Sequence, residues 1–206
     1  MAKYTGADCR LCRREGCKLF LKGERCTSKK CAMERRPSAP GVHGAAKKKP
    51  TEYNLQLREK QKVKRAYGLQ EKQFKMYYDM ANNMKGIVGE NMLSLLERRL
   101  DNVVYRMGIG ASRAESRQIV NHGHITVNGK RVNIPSYLIK VDDVIAVKEN
   151  KRDLAMFKDL KDVKIVMPKW LEFSTETLNG KINALPQRDD IDLNIHEHLI
   201  IELYSK

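Results

Sequence analysis

The chain has 206 residues, of which 41% are hydrophobic, 32% charged and only 6% aromatic, and its formal net charge is +15. That length suits one to two domains with a polar core, and the charge points to a polyanionic partner. No apolar run approaches the ~20 residues that cross a bilayer, and Met1-Ala2-Lys3 leads straight into polar sequence, so neither a membrane span nor a secretory leader is expected and a soluble cytoplasmic protein is. The charge is uneven: residues 1–65 hold 19 Lys or Arg against 6 acids, whereas residues 66–206 hold 21 against 19. A basic N-terminal lobe laid against nucleic acid fits that asymmetry.

Five cysteines without an export signal argue for metal or free thiols rather than disulfides. Cys9-x2-Cys12 and Cys26-x4-Cys31 are two close pairs joined by a loop of thirteen residues, the pattern that a tetrahedral four-thiolate site needs. Zinc and an iron-sulfur cluster both suit such ligands. Cys17 is the odd residue, and pairing by proximity favours the outer four. Such a site staples a segment too polar to fold by itself. Around it stand Arg10, Arg13, Arg14, Lys18, Lys22, Arg25, Lys29, Lys30, Arg35 and Arg36, an array that a metal-pinned knuckle would hold ready for phosphates. Pro37, Pro40, Gly41, Gly44 and Lys47-Lys48-Lys49-Pro50 then read as an extended arm along folded RNA or a flexible linker.

Thr51 is placed to cap a helix from Glu52 to about Ala66, on which Arg58, Lys62 and Arg65 share one face. Tyr53, Leu57 and Val63 lie away from that face, so one side could meet RNA and the other a core. Gly68 breaks this helix, and Leu69 with Phe74 has the spacing of a hydrophobic staple opening another. Its core stripe is Phe74, Tyr77, Tyr78, Ala81 and Met84, and Gly86 with Gly89 separates it from the helix that opens the central module.

The centre of the chain changes period twice. Met92, Leu95, Leu96, Leu100, Val103, Val104 and Met107 predict one helix, stopped by Gly108. Ser112-Arg113-Ala114-Glu115 reads as the capping box of a second helix ending at Asn121-His122-Gly123. Ile125 and Val127, the Asn128-Gly129 type I′ turn and the returning Val132 and Ile134 predict a hairpin, and Val144–Val147 a third strand. From Arg98 to Arg131 there are seven Lys or Arg against two acids. Arg113 and Arg117, four apart on one helix face, and the hairpin's His122, His124, Asn128, Lys130 and Arg131 could hold a phosphate backbone or form a solvated face.

Past residue 148 the signals weaken. A short helix over Lys151–Lys161, packing anchors at Trp170, Leu171 and Phe173, and a final strand at Leu199–Tyr204 are expected. Asp189, Asp190 and Asp192 make residues 185–206 net acidic, an end suited to protein rather than phosphate. His196 and His198 would share a strand face as surface histidines, without a nucleophile motif or metal partner nearby. The fold class is α+β, with a metal knuckle and basic arm over 1–50, helices over 51–97 and a helix-helix-hairpin module over 98–149.

Arg99-Leu100-Asp101, Ala111-Ser112-Arg113, Arg117-Gln118 and His122-Gly123-His124-Ile125-Thr126-Val127-Asn128-Gly129 resemble the S4 RNA-binding domain, named after the fourth protein of the small ribosomal subunit. Ser116 stands where that family more often has alanine, and Asp142-Asp143 where Gly-Asp is commoner. The N-terminal third is similar to the cysteine-bearing bacterial form of the ribosomal protein S4 family in Cys9–Gly16, Gly23–Cys26, Cys31–Pro37 and Pro40-Gly41-x-His43-Gly44. On this resemblance, 150–206 joins 51–97 in one mainly helical domain around an inserted module. The resemblance implies metal on Cys9, Cys12, Cys26 and Cys31, and a structural, non-enzymatic role in the small subunit. It implies binding of small-subunit ribosomal RNA at the 5′ domain helical junction and nucleation of assembly, with a part in translational accuracy through ribosomal protein S5. It also implies other small-subunit proteins as partners, and in some members repression through their own messenger RNA. No small-molecule substrate is expected. Two other classes fit less well. A pseudouridine synthase also carries this domain and an Arg-Leu-Asp motif, but 206 residues leave no room for its large domain. A zinc-dependent DNA-binding regulator lacks support from any C2H2 histidine spacing.

Overall fold

The computed structural model describes residues 3–46, 49–158, 160 and 167–205. The chain divides into two compact units, Met1–Met92 with Leu193–Lys206, and Leu93–Asp192. Among the described residues no helix is long and apolar enough to cross a membrane.

The first unit is helical. Helix α1 (Asp8–Glu15), a 3-10 turn at Gly23–Cys26 and the single turn α2 (Ala32–Arg35) form the knuckle. Helix α3 (Glu52–Ala66) starts where predicted, with the Asn54 N–H donating to Thr51 Oγ1 at 3.3 Å. Helix α4 (Glu71–Asn82) buries Phe74, Tyr77 and Ala81, but Met84 falls beyond its end and is 41% exposed, which removes it from the expected stripe. Helix α9 (Glu197–Tyr204) occupies the stretch expected as a strand. An apolar run this short carries no decisive period. What decides is packing: Ile200 is buried, Tyr204 stacks on Tyr78 at 4.6 Å, and Gln56 Nε2 of α3 donates to Glu202 at 3.0 Å.

Helix α5 (Val88–Glu97) contains Gly89, which therefore does not separate elements; Gly86, at φ 109°, makes the turn before it. The apolar stripe from Met92 to Met107 is buried throughout, yet it belongs to two helices, α5 and α6 (Leu100–Arg106). The break is at Arg99, which is extended because the chain here bonds sideways: Leu100 N–H donates to Tyr137 O at 2.8 Å and Ile139 N–H to Arg98 O at 3.0 Å. Periodicity could not reveal partners so far along the chain.

In the second unit, α6 and α7 (Arg113–Asn121) cover a fully antiparallel five-stranded sheet of order β2-β1-β3-β5-β4. Its strands are β1 (Ile125–Val127), β2 (Lys130–Arg131), β3 (Val144–Val147), β4 (Leu171–Ser174) and β5 (Asn179–Ile182). Asn128 and Gly129 take φ of 49° and 77°, the left-handed pair that a type I′ turn requires. The returning arm is shorter than expected, and Ile134 is exposed. Ser112 Oγ accepts from Glu115 N–H at 3.3 Å, while the Glu115 carboxylate reaches one residue further back than a capping box, to Ala111 N–H at 2.8 Å. Strands β4 and β5 complete the sheet instead of joining the helical part, so of residues 150–206 only those after Asp192 fall in the helical unit. The helix expected over Lys151–Lys161 reduces to the turn α8 (Ala155–Lys158), which sinks Phe157 into the core; Asp159 and Lys161 lie outside the described residues. Trp170 and Leu171 anchor that core, with Phe173 packed at its margin.

Candidate nucleic-acid interface

In the knuckle, α1 carries Cys9 and Cys12 on successive turns, Cys26 ends the 3-10 turn and Cys31 precedes α2. Cys12, Cys26 and Cys31 are buried and Cys9 is half-buried. Lys22 N–H donates to Cys26 Sγ at 3.3 Å. Burial pushes the Cys12 thiol up, the Leu19 backbone N–H opposes this, and nearby Cys26 adds to the rise. Among the described residues no group of three or more His, Cys, Asp or Glu side chains is gathered closely enough to hold a metal ion. Cys17 lies near Lys62, Glu15 and Glu59.

The cations around the knuckle divide by use. Arg13 Nε donates to Ser38 O at 2.8 Å and Arg14 Nη2 to Pro40 O at 3.1 Å, so these two fasten the start of the arm. Arg10, Arg35, Arg36 and Lys49 are exposed and have no side-chain partner among the described residues. Arg10, Arg13 and Arg36 line a cavity of about 570 Å³ with Ser38–Gly41. Lys47 and Lys48 lie outside the described residues.

On α3 the three cations of the expected RNA face are half-buried and engaged within the fold. Glu15, buried at the end of α1, pairs with Arg58 at 3.2 Å and with Arg65, and Lys62 binds Glu59 at 2.6 Å and Asn194 O at 3.1 Å. Burial drives the Glu15 carboxyl up, against Arg58 and Arg65. Arg58, Lys62 and Arg65 therefore hold the helical unit together. The helical spacing showed that they share a face, but not that an acid from another helix sits on it.

The two α7 cations differ in burial. Arg117 is buried and pairs with Asp101 at 3.2 Å, and Asp101 is held bidentately by the fully buried Arg99 at 3.0 and 2.7 Å. Arg117 is thus part of an interior ion cluster with Arg99, in which Asp101 is the shared structural acid. Arg113 is half-buried, with its guanidinium over the Tyr105 ring at 4.5 Å and Nε donating to Asn102 Oδ1 at 2.8 Å. Asn102 is itself fixed by Glu97 at 2.7 Å, so Arg113 is oriented at the surface.

At the hairpin, Asn128 is structural too: its amide donates to Asp143 at 2.8 Å and its carbonyl accepts from Val144 N–H at 2.9 Å. His122, Lys130 and Arg131 are exposed, and His124 is half-buried, edge-on to His122 at 5.9 Å. Burial, then His122, Lys151 and Arg131, lower the tendency of His124 to take a proton. The structure thus brings His122, His124 and Arg131 together, with Lys130 exposed on the same hairpin and Asn128 fixing its turn. Lys148, Lys151 and Arg152, which come after β3, lie beside that edge and were not singled out, because only the sheet brings them to it.

Comparison with known proteins matches residues 3–97 to the family "Ribosomal protein S4/S9 N-terminal domain" and residues 98–145 to the "S4 domain". The chain is 64% identical to the small ribosomal subunit protein uS4 of Ruminiclostridium cellulolyticum over 208 aligned residues, covering all of both chains. It is 62% identical to the protein of the same name from Acetivibrio thermocellus and 61% to that of Clostridioides difficile, again over the full length of both.

Proposed function

This chain belongs to the ribosomal protein S4 family, and from that premise we propose that it is a structural component of the small ribosomal subunit that binds small-subunit ribosomal RNA and performs no chemistry. The carrying observation is identity of 64% along the entire chain with a protein of that name. Asp101, clamped by two arginines, argues against an enzyme that attacks through this aspartate. Exposed cations on the arm and hairpin suit RNA read by shape and backbone, since a folded RNA helix hides its major groove and offers phosphates and 2′-hydroxyls.

The finer reading is binding at the 5′ domain helical junction, nucleation of assembly, and a contribution to accuracy through ribosomal protein S5, with repression through its own messenger RNA as a further role. The acidic stretch from residue 185 supports a protein partner. We also infer a structural zinc ion on Cys9, Cys12, Cys26 and Cys31, with an iron-sulfur cluster as the alternative on the same thiols. The donor chemistry fits: four thiols, three of them buried, with backbone N–H groups directed at Cys12 and Cys26. A cation would bind these sulfurs as thiolates and cross-link the knuckle.

A salt titration of the full chain against a 5′ domain junction RNA and a generic duplex of equal length tests the reading, with metal assayed on the same sample. Preference for the junction at physiological salt is expected. Equal, steeply salt-sensitive binding to both would reduce the interaction to net charge and overturn it.

A further inference from the structure

The face of the sheet turned away from the core carries a basic trough that neither the helices nor the hairpin turn accounts for. Ile125, Val127, Ile145 and Val147 are buried on the inner side, which puts the alternate residues outside. The register aligns Arg131, Thr126, Ala146 and Asn179 as one row across four strands. Small side chains at Thr126 and Ala146 make a low floor, and the resulting cavity of about 470 Å³ is edged by Arg131, Lys148 and Arg152. Glu149 is the one carboxylate among the residues lining it.

The cations here differ from those of α3 and α7 in what they touch. Arg131, Lys148 and Lys151 make no ion pair and no side-chain hydrogen bond among the described residues, although they stand in one neighbourhood. Arg152 is set in place by Val147 O at 3.2 Å and Asn179 Oδ1 at 3.3 Å. Arg131 lies so close over Gly123 that a Cβ there would meet its Nε at 2.2 Å, so its guanidinium rests on the backbone just past the end of α7. Cations held close together with a single carboxylate among them make a net positive field that favours an anion. The Thr126 hydroxyl donates to Ala146 O at 3.2 Å, so its oxygen is left as an acceptor on the floor.

We propose that this trough is a second RNA-backbone site, in which Arg131, Lys148, Lys151 and Arg152 grip successive phosphates and Thr126 accepts from a ribose 2′-hydroxyl. It rests on the RNA-binding reading above and extends the interface from the hairpin across β1 and β3. Rows of phosphates, rather than an acidic peptide, suit it because its cations continue those of the hairpin along a low floor of small side chains.

The test uses the full chain carrying Arg131→Gln, Lys148→Gln and Lys151→Gln, which leaves Arg152 to hold the floor. Its binding is titrated with salt against the 5′ domain transcript and a generic duplex, beside a control carrying Lys72→Gln, Lys75→Gln and Lys85→Gln on exposed positions of the other unit. Loss of three phosphate contacts should flatten the log–log salt slope by about 2 to 3 on either RNA, with a much smaller change in the control. A slope no flatter than the control's overturns the proposal. Equal wild-type affinity for the two RNAs would sink the functional reading instead, and the slope comparison would still decide on the trough. Amine acylation of the wild-type chain gives a readout that needs no variant: Lys148 and Lys151 should lose reactivity in the complex, and unchanged reactivity there overturns the site.

Discussion

The knuckle and the Leu93–Asp192 unit are both rich in cations, yet they treat them in opposite ways. Within residues 3–46 the buried apolar side chains are Cys12, Leu19, Cys26 and Cys31, and three of those four are thiols. With so little interior, cations such as Arg10, Arg35 and Arg36 have nowhere to go but outward. The Leu93–Asp192 unit has a continuous core from Leu100 to Ile182, and around its edge Arg99 and Arg117 are taken inside to hold Asp101. Cationic residues near a core become structure when an acid meets them there; those that meet none remain available to a polyanion.

The largest effect that could break this contrast is loss of the thiols. Cys9→Ser with Cys12→Ser should abolish metal binding, which in small zinc domains is coupled to roughly 10–16 kcal/mol of apparent free energy. Hydrogen exchange should then lose protection across residues 3–46 and keep it over the sheet; a knuckle still protected without metal would show that its few buried groups suffice. Next in size, Asp101→Ala leaves Arg99 and Arg117 buried without their shared acid and should cost about 3–5 kcal/mol in urea unfolding. A cost as small as that of exposed Lys130→Ala, within about 0.5 kcal/mol, would mean that the cluster is not structural. The smallest change sharpens the view of the core: the Ser116 hydroxyl is buried with no hydrogen-bond partner among the described residues, so Ser116→Ala should stabilise by about 1 kcal/mol. Destabilisation instead would reveal a polar partner for that oxygen.

Much of the fold was legible because its signals are local. Thr51 caps α3, Gly108 and Gly123 take positive φ at the ends of α6 and α7, and Asn128-Gly129 turns the hairpin. Asp142, where the resembled family commonly has glycine, has φ of 68°, so that preference reflects a backbone conformation glycine adopts without strain. The largest misreadings were long-range. One stripe became two helices because Arg99 bonds to the chain near Leu138, a strand became α9 because α3 and α4 offered it a surface, and β4 and β5 joined the sheet through β3. The candidate site divides the same way: the cationic stretches were visible, but which cations face solvent was not.

By itself, the sequence determined the residue types: the paired cysteines, the excess of cations in the first 65 residues, the amphipathic periods and the turns, each set by neighbours within a few positions. Only the tertiary structure decided the use of each charge. A guanidinium is worth most to the fold where a distant carboxylate meets it out of water, as Glu15 meets Arg58 and Arg65 and as Asp101 meets Arg99 and Arg117. Where the folded chain brings cations together without such an acid, as at Arg131, Lys148 and Lys151, their charge stays directed at a partner.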